Sequence, residues 1–148
     1  MKRLVVFSII FIVITVFVSC KAQPVGKTLE EVEMENMPMF PGCEAEVSMT
    51  KQDRKICADK KMLAFIYDNL EYPTAAKEKG IKGVVVVSFH VDKVGGLSNI
   101  KVSRKIGYGC DEEALRIVKK MPNWIAAKTL TGETVEMDLR IPIKFEYD

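Results

Sequence analysis

Val135-Glu136-Met137-Asp138-Leu139-Arg140-Ile141-Pro142-Ile143-Lys144-Phe145-Glu146-Tyr147 alternates apolar and polar residues without interruption. Side chains of a β-strand point to opposite faces with a period of two, so this pattern predicts a strand covered on one face only. The buried set would be Val135, Met137, Leu139, Ile141, Ile143, Phe145 and Tyr147. Pro142 has no N–H to give to a ladder, which places the strand at a sheet edge or marks a bulge. An open edge is a template for a further strand.

Working back from that strand, Gly83–Val91 reads as a second one, with Val85, Val87, Phe89 and Val91 on one face and Val84, Val86, Ser88 and His90 on the other. Gly95-Gly96 signals a hairpin into Leu97–Arg104, where Ile100 and Val102 stand two apart. Asp111, Glu112 and Glu113 open a helix that Lys119 and Lys120 close, in the charge order that suits the helix dipole. Pro122 stops it, and Trp124 follows as a core residue in irregular chain. Upstream, Asp59 is a candidate N-cap for a helix over 59–69 whose Met62, Leu63, Ile66 and Leu70 would face the core. Tyr72-Pro73 opens a short second helix with Pro73 at the first helical position and Gly80 as the left-handed cap. The polar stretch 44–55 reads as loop. The order helix, short helix, hairpin, helix, strand predicts an α+β domain. Its three-stranded antiparallel sheet carries helices on one face and has order 2-1-3, the last strand lying beside the first.

The amino terminus sets the compartment. Lys2 and Arg3 precede the almost wholly apolar stretch 4–18, which is shorter than the roughly 20 residues of a membrane span and resembles a signal-peptide core. Phe17-Val18-Ser19-Cys20 resembles a lipobox, which implies a signal peptide over 1–19 and a lipidated Cys20. An uncleaved inner-membrane helix is the alternative. Lys21, where Asp would retain a lipoprotein at the inner membrane, favours the outer membrane. Residues 20–36 then form a lipidated start and tether of at most roughly 50–58 Å from sixteen residues, and 37–148 the domain. Of the remaining cysteines, Cys43 and Cys57 are expected to bridge, closing a loop of about 15 residues worth roughly 3 kcal/mol. Cys110 is expected to be a small buried residue at a helix start. No Cys-x-x-Cys spacing supports a metal or redox site.

An ordered set of motifs resembles the TonB C-terminal domain family. It comprises Tyr72-Pro73 with Ala75-Ala76 and Gly80, Gly83-Val84-Val85-Val86, Phe89-His90-Val91-Asp92 leading to Gly95-Gly96, Asp111-Glu112-Glu113-Ala114, Met121-Pro122-Asn123-Trp124 and Ile141-Pro142-Ile143-Lys144-Phe145. Phe40-Pro41-Gly42 resembles the opening of a variant of the same domain. The resemblance implies addition of a receptor segment as an extra strand, at an edge formed by Leu139, Arg140, Ile141, Pro142, Ile143, Lys144 and Phe145. The partner would be a TonB-dependent receptor or related envelope protein, with the membrane engaged through the lipid anchor and a homodimer possible. Two departures from the family, the short tether and the lipid in place of a membrane helix, imply the binding mode and not energy transduction by this chain alone. A self-associating structural lipoprotein is the alternative reading.

The net charge of +2 with scattered Lys and Arg argues against a nucleic-acid partner. The single histidine, His90, has no Ser or Cys partner at a recognisable spacing, and Glu112 and Glu113 are explained by the helix start. No catalytic residue, cofactor or metal site is therefore assigned, and a binding module is expected rather than an enzyme. Metabolic labelling with a fatty-acid analogue is expected to mark the wild-type chain and to miss Cys20→Ala; equal labelling of the two would refute lipidation at Cys20.

Overall fold

The computed structural model describes residues 34–44 and 48–146. Cys20, the signal peptide and most of the tether lie outside the described residues, as does Tyr147. In chain order the elements are β1 (Met34–Asn36), α1 (Lys51–Asn69), α2 (Thr74–Glu78), β2 (Gly83–Val91), β3 (Leu97–Arg104), α3 (Cys110–Lys120), β4 (Ala127–Thr129), β5 (Thr134–Val135) and β6 (Met137–Phe145). The main sheet is antiparallel with order β3-β2-β6, which is the 2-1-3 order expected from the sequence.

The sheet turns its odd-numbered residues inward. Val85, Val87, Phe89 and Val91 of β2 and Ile141, Ile143 and Phe145 of β6 form one core with Ala114, Ile117 and Val118 of α3 and Ile66 of α1. Burying one aliphatic or aromatic side chain contributes about 1.5–3 kcal/mol, so this shared face dominates the stability of the unit. β2 and β6 pair through nine consecutive residues with no slip, from Gly83 opposite Phe145 to Val91 opposite Met137. β3 carries the irregularity: Asn99 takes a φ of +51°, and the register with β2 shifts around it.

Four sequence expectations are corrected. First, α1 begins at Lys51 rather than near Asp59. Thr50 is the N-cap, its Oγ1 accepting from the Asp53 N–H at 3.1 Å while its hydroxyl donates to the Asp53 carboxylate at 2.7 Å. This Thr-x-x-Asp reciprocity is a capping-box relative, and it converts the polar stretch 51–55 from loop to helix. Asp59 sits inside the helix, paired with Lys55 at 2.7 Å. Second, Leu63 is 44% exposed, because the inward face of α1 is set by Ala58 and Ile66. Third, Pro73 is the N-cap of α2 and not its first helical residue. Fourth, Val135 does not belong to the last strand. It pairs with Ala127 in a small second sheet of order β1-β4-β5, and the chain crosses to the main sheet at Glu136. Side chains keep alternating across such a change of sheet, so periodicity alone cannot detect it.

Met34–Asn36, read from the sequence as the end of the tether, pairs with β4 as β1. Met39 and Ile125 exchange both backbone hydrogen bonds, at 3.0 and 2.8 Å. That pairing carries Phe40 into the core, where its ring meets Phe65 and Trp124 with centroids 5.6 and 5.9 Å away. Cys43 and Cys57 form the expected disulfide, tying this segment to α1. Cys110 is reduced and buried, and that burial pushes its thiol pKa up. Glu113 is also buried. Burial raises its carboxyl pKa, but the Arg116 guanidinium and the Glu71 N–H outweigh that and hold it below the usual value.

The β2–β3 turn is locked from inside and from outside. The Asp92 carboxylate accepts from the N–H groups of Val94 and Gly96 at 2.9 and 2.8 Å. Trp124 donates its backbone N–H to the Gly95 carbonyl at 2.8 Å. Gly95 has a φ of +85°, and a Cβ there would overlap the Trp124 carbonyl oxygen; Gly132 has a nearly identical φ of +86° but open space around it. Gly132→Ala is therefore expected to cost only the left-handed backbone penalty of about 1–2 kcal/mol. Gly95→Ala should cost clearly more, because the clash is with backbone. Equal urea midpoints for the two variants would contradict this account.

Candidate partner-binding edge

β6 ends the main sheet, so one side of its backbone has no strand beside it. Which groups face that side follows from the hairpin. The Asp92 N–H donates to the Gly96 carbonyl at 3.0 Å, so the even-numbered backbone groups of β2 point to β3 and the odd-numbered ones to β6. The unbroken register then has Leu139, Ile141, Ile143 and Phe145 spend their backbone groups on β2. Asp138, Arg140, Pro142 and Lys144 turn theirs to the open edge. The missing N–H of Pro142 thus costs the sheet nothing, which is why a proline is tolerated opposite Val86 in an unbroken ladder.

The seven residues assigned from the sequence, 139–145, therefore divide. Arg140, Pro142 and Lys144 present backbone to the edge. Leu139, Ile141, Ile143 and Phe145 support it from the core side, with Ile141, Ile143 and Phe145 buried and Leu139 half-buried. Asp138, just upstream of the assigned segment, belongs to the edge as well. Strand parity could have named it once the pairing with β2 was known.

The side chains of the same four residues stand on the sheet face away from the helices, and all four are exposed. Lys144 forms an ion pair with Glu146, which raises the Lys144 pKa and lowers that of Glu146. Arg140 has no ion partner among the described residues. It shares a shallow trough of about 830 Å³ with Ser88, Lys101 and Asp138. His90 fastens the upstream end of the edge. Its Nδ1 lies 2.8 Å from the Asp138 carboxylate, and its Nε2 3.7 Å from that of Glu136. The sheet-face position expected for His90 is thus filled by a cross-strand polar contact. Among the described residues no cluster of His, Cys, Asp and Glu has the geometry to hold a metal ion, and no helix is long and apolar enough to cross a membrane.

The class that this geometry defines is an α+β domain with a helix layer on one face of a three-stranded antiparallel sheet, open along its last strand. The model of the family described as the Gram-negative bacterial TonB protein C-terminal matches residues 68–147, and the chain belongs to that family. Domains of this family are periplasmic protein-interaction modules that engage outer-membrane receptors. Two NMR solution structures of the Helicobacter pylori TonB C-terminal domain are similar to the chain. One is 26% identical with a TM-score of 0.45, aligned over 59% of this chain and 90% of that one. The other is 26% identical with a TM-score of 0.41, over 60% and 81%. No curated protein matches the chain significantly. β1, the disulfide and nearly all of α1 precede the matched residues.

The hydrogen bond from Asp138 is the main cause of a raised His90 pKa, against a smaller opposing effect of burial. A raised folded-state pKa means that the stabilisation is complete below the ordinary histidine value of about 6.5 and is lost as pH rises through the folded value. Asp138→Asn is expected to lower the His90 titration midpoint measured by NMR. The stability difference between that variant and the wild type should be larger at acidic than at alkaline pH. An unchanged midpoint would show that the contact does not form in solution.

Proposed function

We propose that the chain is a periplasm-facing, membrane-anchored binding module that engages outer-membrane receptor or transport components by accepting one of their segments as a fourth strand along β6. The observation that carries this reading is the nine-residue register of β2 with β6, which leaves the backbone of Asp138, Arg140, Pro142 and Lys144 at an unpaired edge. An added strand would find carbonyl acceptors at all four positions and N–H donors at three. Each new hydrogen bond would contribute roughly 0.5–1.5 kcal/mol, and the flat open face would leave room for the partner's alternate side chains. Family membership supports the partner class. The anchor in this reading is a lipid on Cys20, placed at the outer membrane by Lys21.

Arg140→Pro tests the edge. Its N–H points away from β2, so the substitution removes an edge donor and leaves the β2–β6 ladder whole. Binding of peptides carrying the periplasmic segments of outer-membrane receptors is expected to fall at least about tenfold while circular dichroism stays unchanged, since several contacts are lost with the edge geometry. Full binding by the folded variant, or amide shifts confined to the helices when peptide is added, would place the docking site elsewhere. Strand exchange between copies of the chain alone, with no peptide binding, would favour the self-associating alternative.

A further inference from the structure

α1 is apolar on two opposite sides. Ala58 and Ile66 are buried in the domain, with Met62 and Phe65 beside them. On the other side Ile56, Leu63 and Tyr67 are 42%, 44% and 48% exposed. With Lys60 between them they are spaced by four, three and four residues, the interval of a helix–helix seam. Single exposed apolar residues need no explanation, but three aligned on one 19-residue helix form a stripe. This surface lies outside the residues matched by the family model, apart from the last turn of the helix, so strand addition at β6 does not account for it.

The charge along α1 indicates what covers the stripe. Residues 51–61 hold five basic side chains, Lys51, Arg54, Lys55, Lys60 and Lys61, against Asp53 and Asp59. From there to the helix end and its exit, residues 62–71 hold Asp68 and Glu71 and no base. The order runs with the helix macrodipole instead of against it, since the amino-terminal end is already the positive one. The helix is therefore strongly bipolar. A second α1 laid antiparallel would place its acidic half over the basic half of the first, twice over, and would align the two dipoles favourably. A parallel arrangement would set like charge on like.

We infer that α1 is the contact surface for a second copy of this chain, packed antiparallel about a two-fold axis near Lys61 and Met62. Ile56 of each copy then faces Tyr67 of the other, the two Leu63 side chains lie near the axis, and the stem of Lys60 covers the seam with its ammonium at the rim. One helix pair buries less than the roughly 1,200 Å² of a standard stable interface. The dimer is accordingly weak in dilute solution and is favoured where copies are held on one surface.

The test uses the full chain in the cells that make it. A photo-crosslinking phenylalanine analogue in place of Tyr67 should give a band at twice the chain mass that contains only this chain. The same analogue at Val94, on the β2–β3 turn, should not. Leu63→Glu should abolish the band, and because Leu63 is exposed the variant should fold. Should it not fold, the charge variants decide. Lys60→Glu and Asp68→Lys should each weaken the homodimer crosslink roughly two- to fivefold, the scale of an exposed ion pair. Mixing differently tagged copies of these two variants should restore it in the mixed pair. Crosslinks to other proteins only, a band from Val94 equal to that from Tyr67, or a mixed pair as weak as its parents would overturn the inference.

Discussion

Everything that positions the binding edge rests on the pairing of β2 with β6. Nine residues of each strand meet without a slip, and a shift of one would turn every inward side chain of β6 to solvent. The core enforces the register: Ile143 and Phe145 are fully buried, and Ile141 nearly so, against Val85, Val87 and the helix layer. The same register decides which backbone groups are used and which are left over. Core packing and edge exposure are in this sense one constraint seen from its two sides. The hydrophobic effect acts on the odd residues and fixes the availability of the even ones.

The segment ahead of the family domain is fastened to it by several unlike interactions. Backbone pairing of Met39 with Ile125 fixes the direction of entry, and Phe40 fills the space between Phe65 and Trp124. Trp124 in turn meets Phe89 of β2 at 5.3 Å and holds the β2–β3 turn through Gly95. The disulfide closes the connection to α1, restricting the unfolded chain in a compartment that permits such bonds. The aromatic cluster thus links the entry strand, α1 and the central strand. Loosening one of these contacts is expected to be felt by the others, because they share one packed volume.

An exposed edge strand has to accept one partner without recruiting many. Proline, charge and bulges are the usual means of limiting indiscriminate pairing. β6 has Pro142 in the middle of its edge and charged side chains at 138, 140 and 144, while the opposite edge, β3, is broken by the irregularity at Asn99. The donor missing at Pro142 narrows the set of strands that can pair along the full length. His90, Asp138 and Glu136 add a polar clasp where the chain passes from the small sheet to the main one.

The alternation in 135–147, the valine-rich strand before it and the Gly-Gly hairpin settled the sheet, its strand order and its buried face from the sequence alone, because period-two patterning is a local property that burial writes directly into the chain. The disulfide and the buried Cys110 also agree with the sequence reading. What the sequence left open had causes outside any local window. The start of α1 depended on one side-chain cap at Thr50. The break at Glu136 depended on which of two sheets each half of an alternating stretch would join, and the burial of Phe40 on a strand more than eighty residues away. The division of the edge into residues that bind β2 and residues that face outward required the hairpin's parity. Leu63 carries the periodicity of a core residue and stands in solvent. Periodicity reports that a side chain is apolar, and only the packing of the folded chain decides which apolar face is covered.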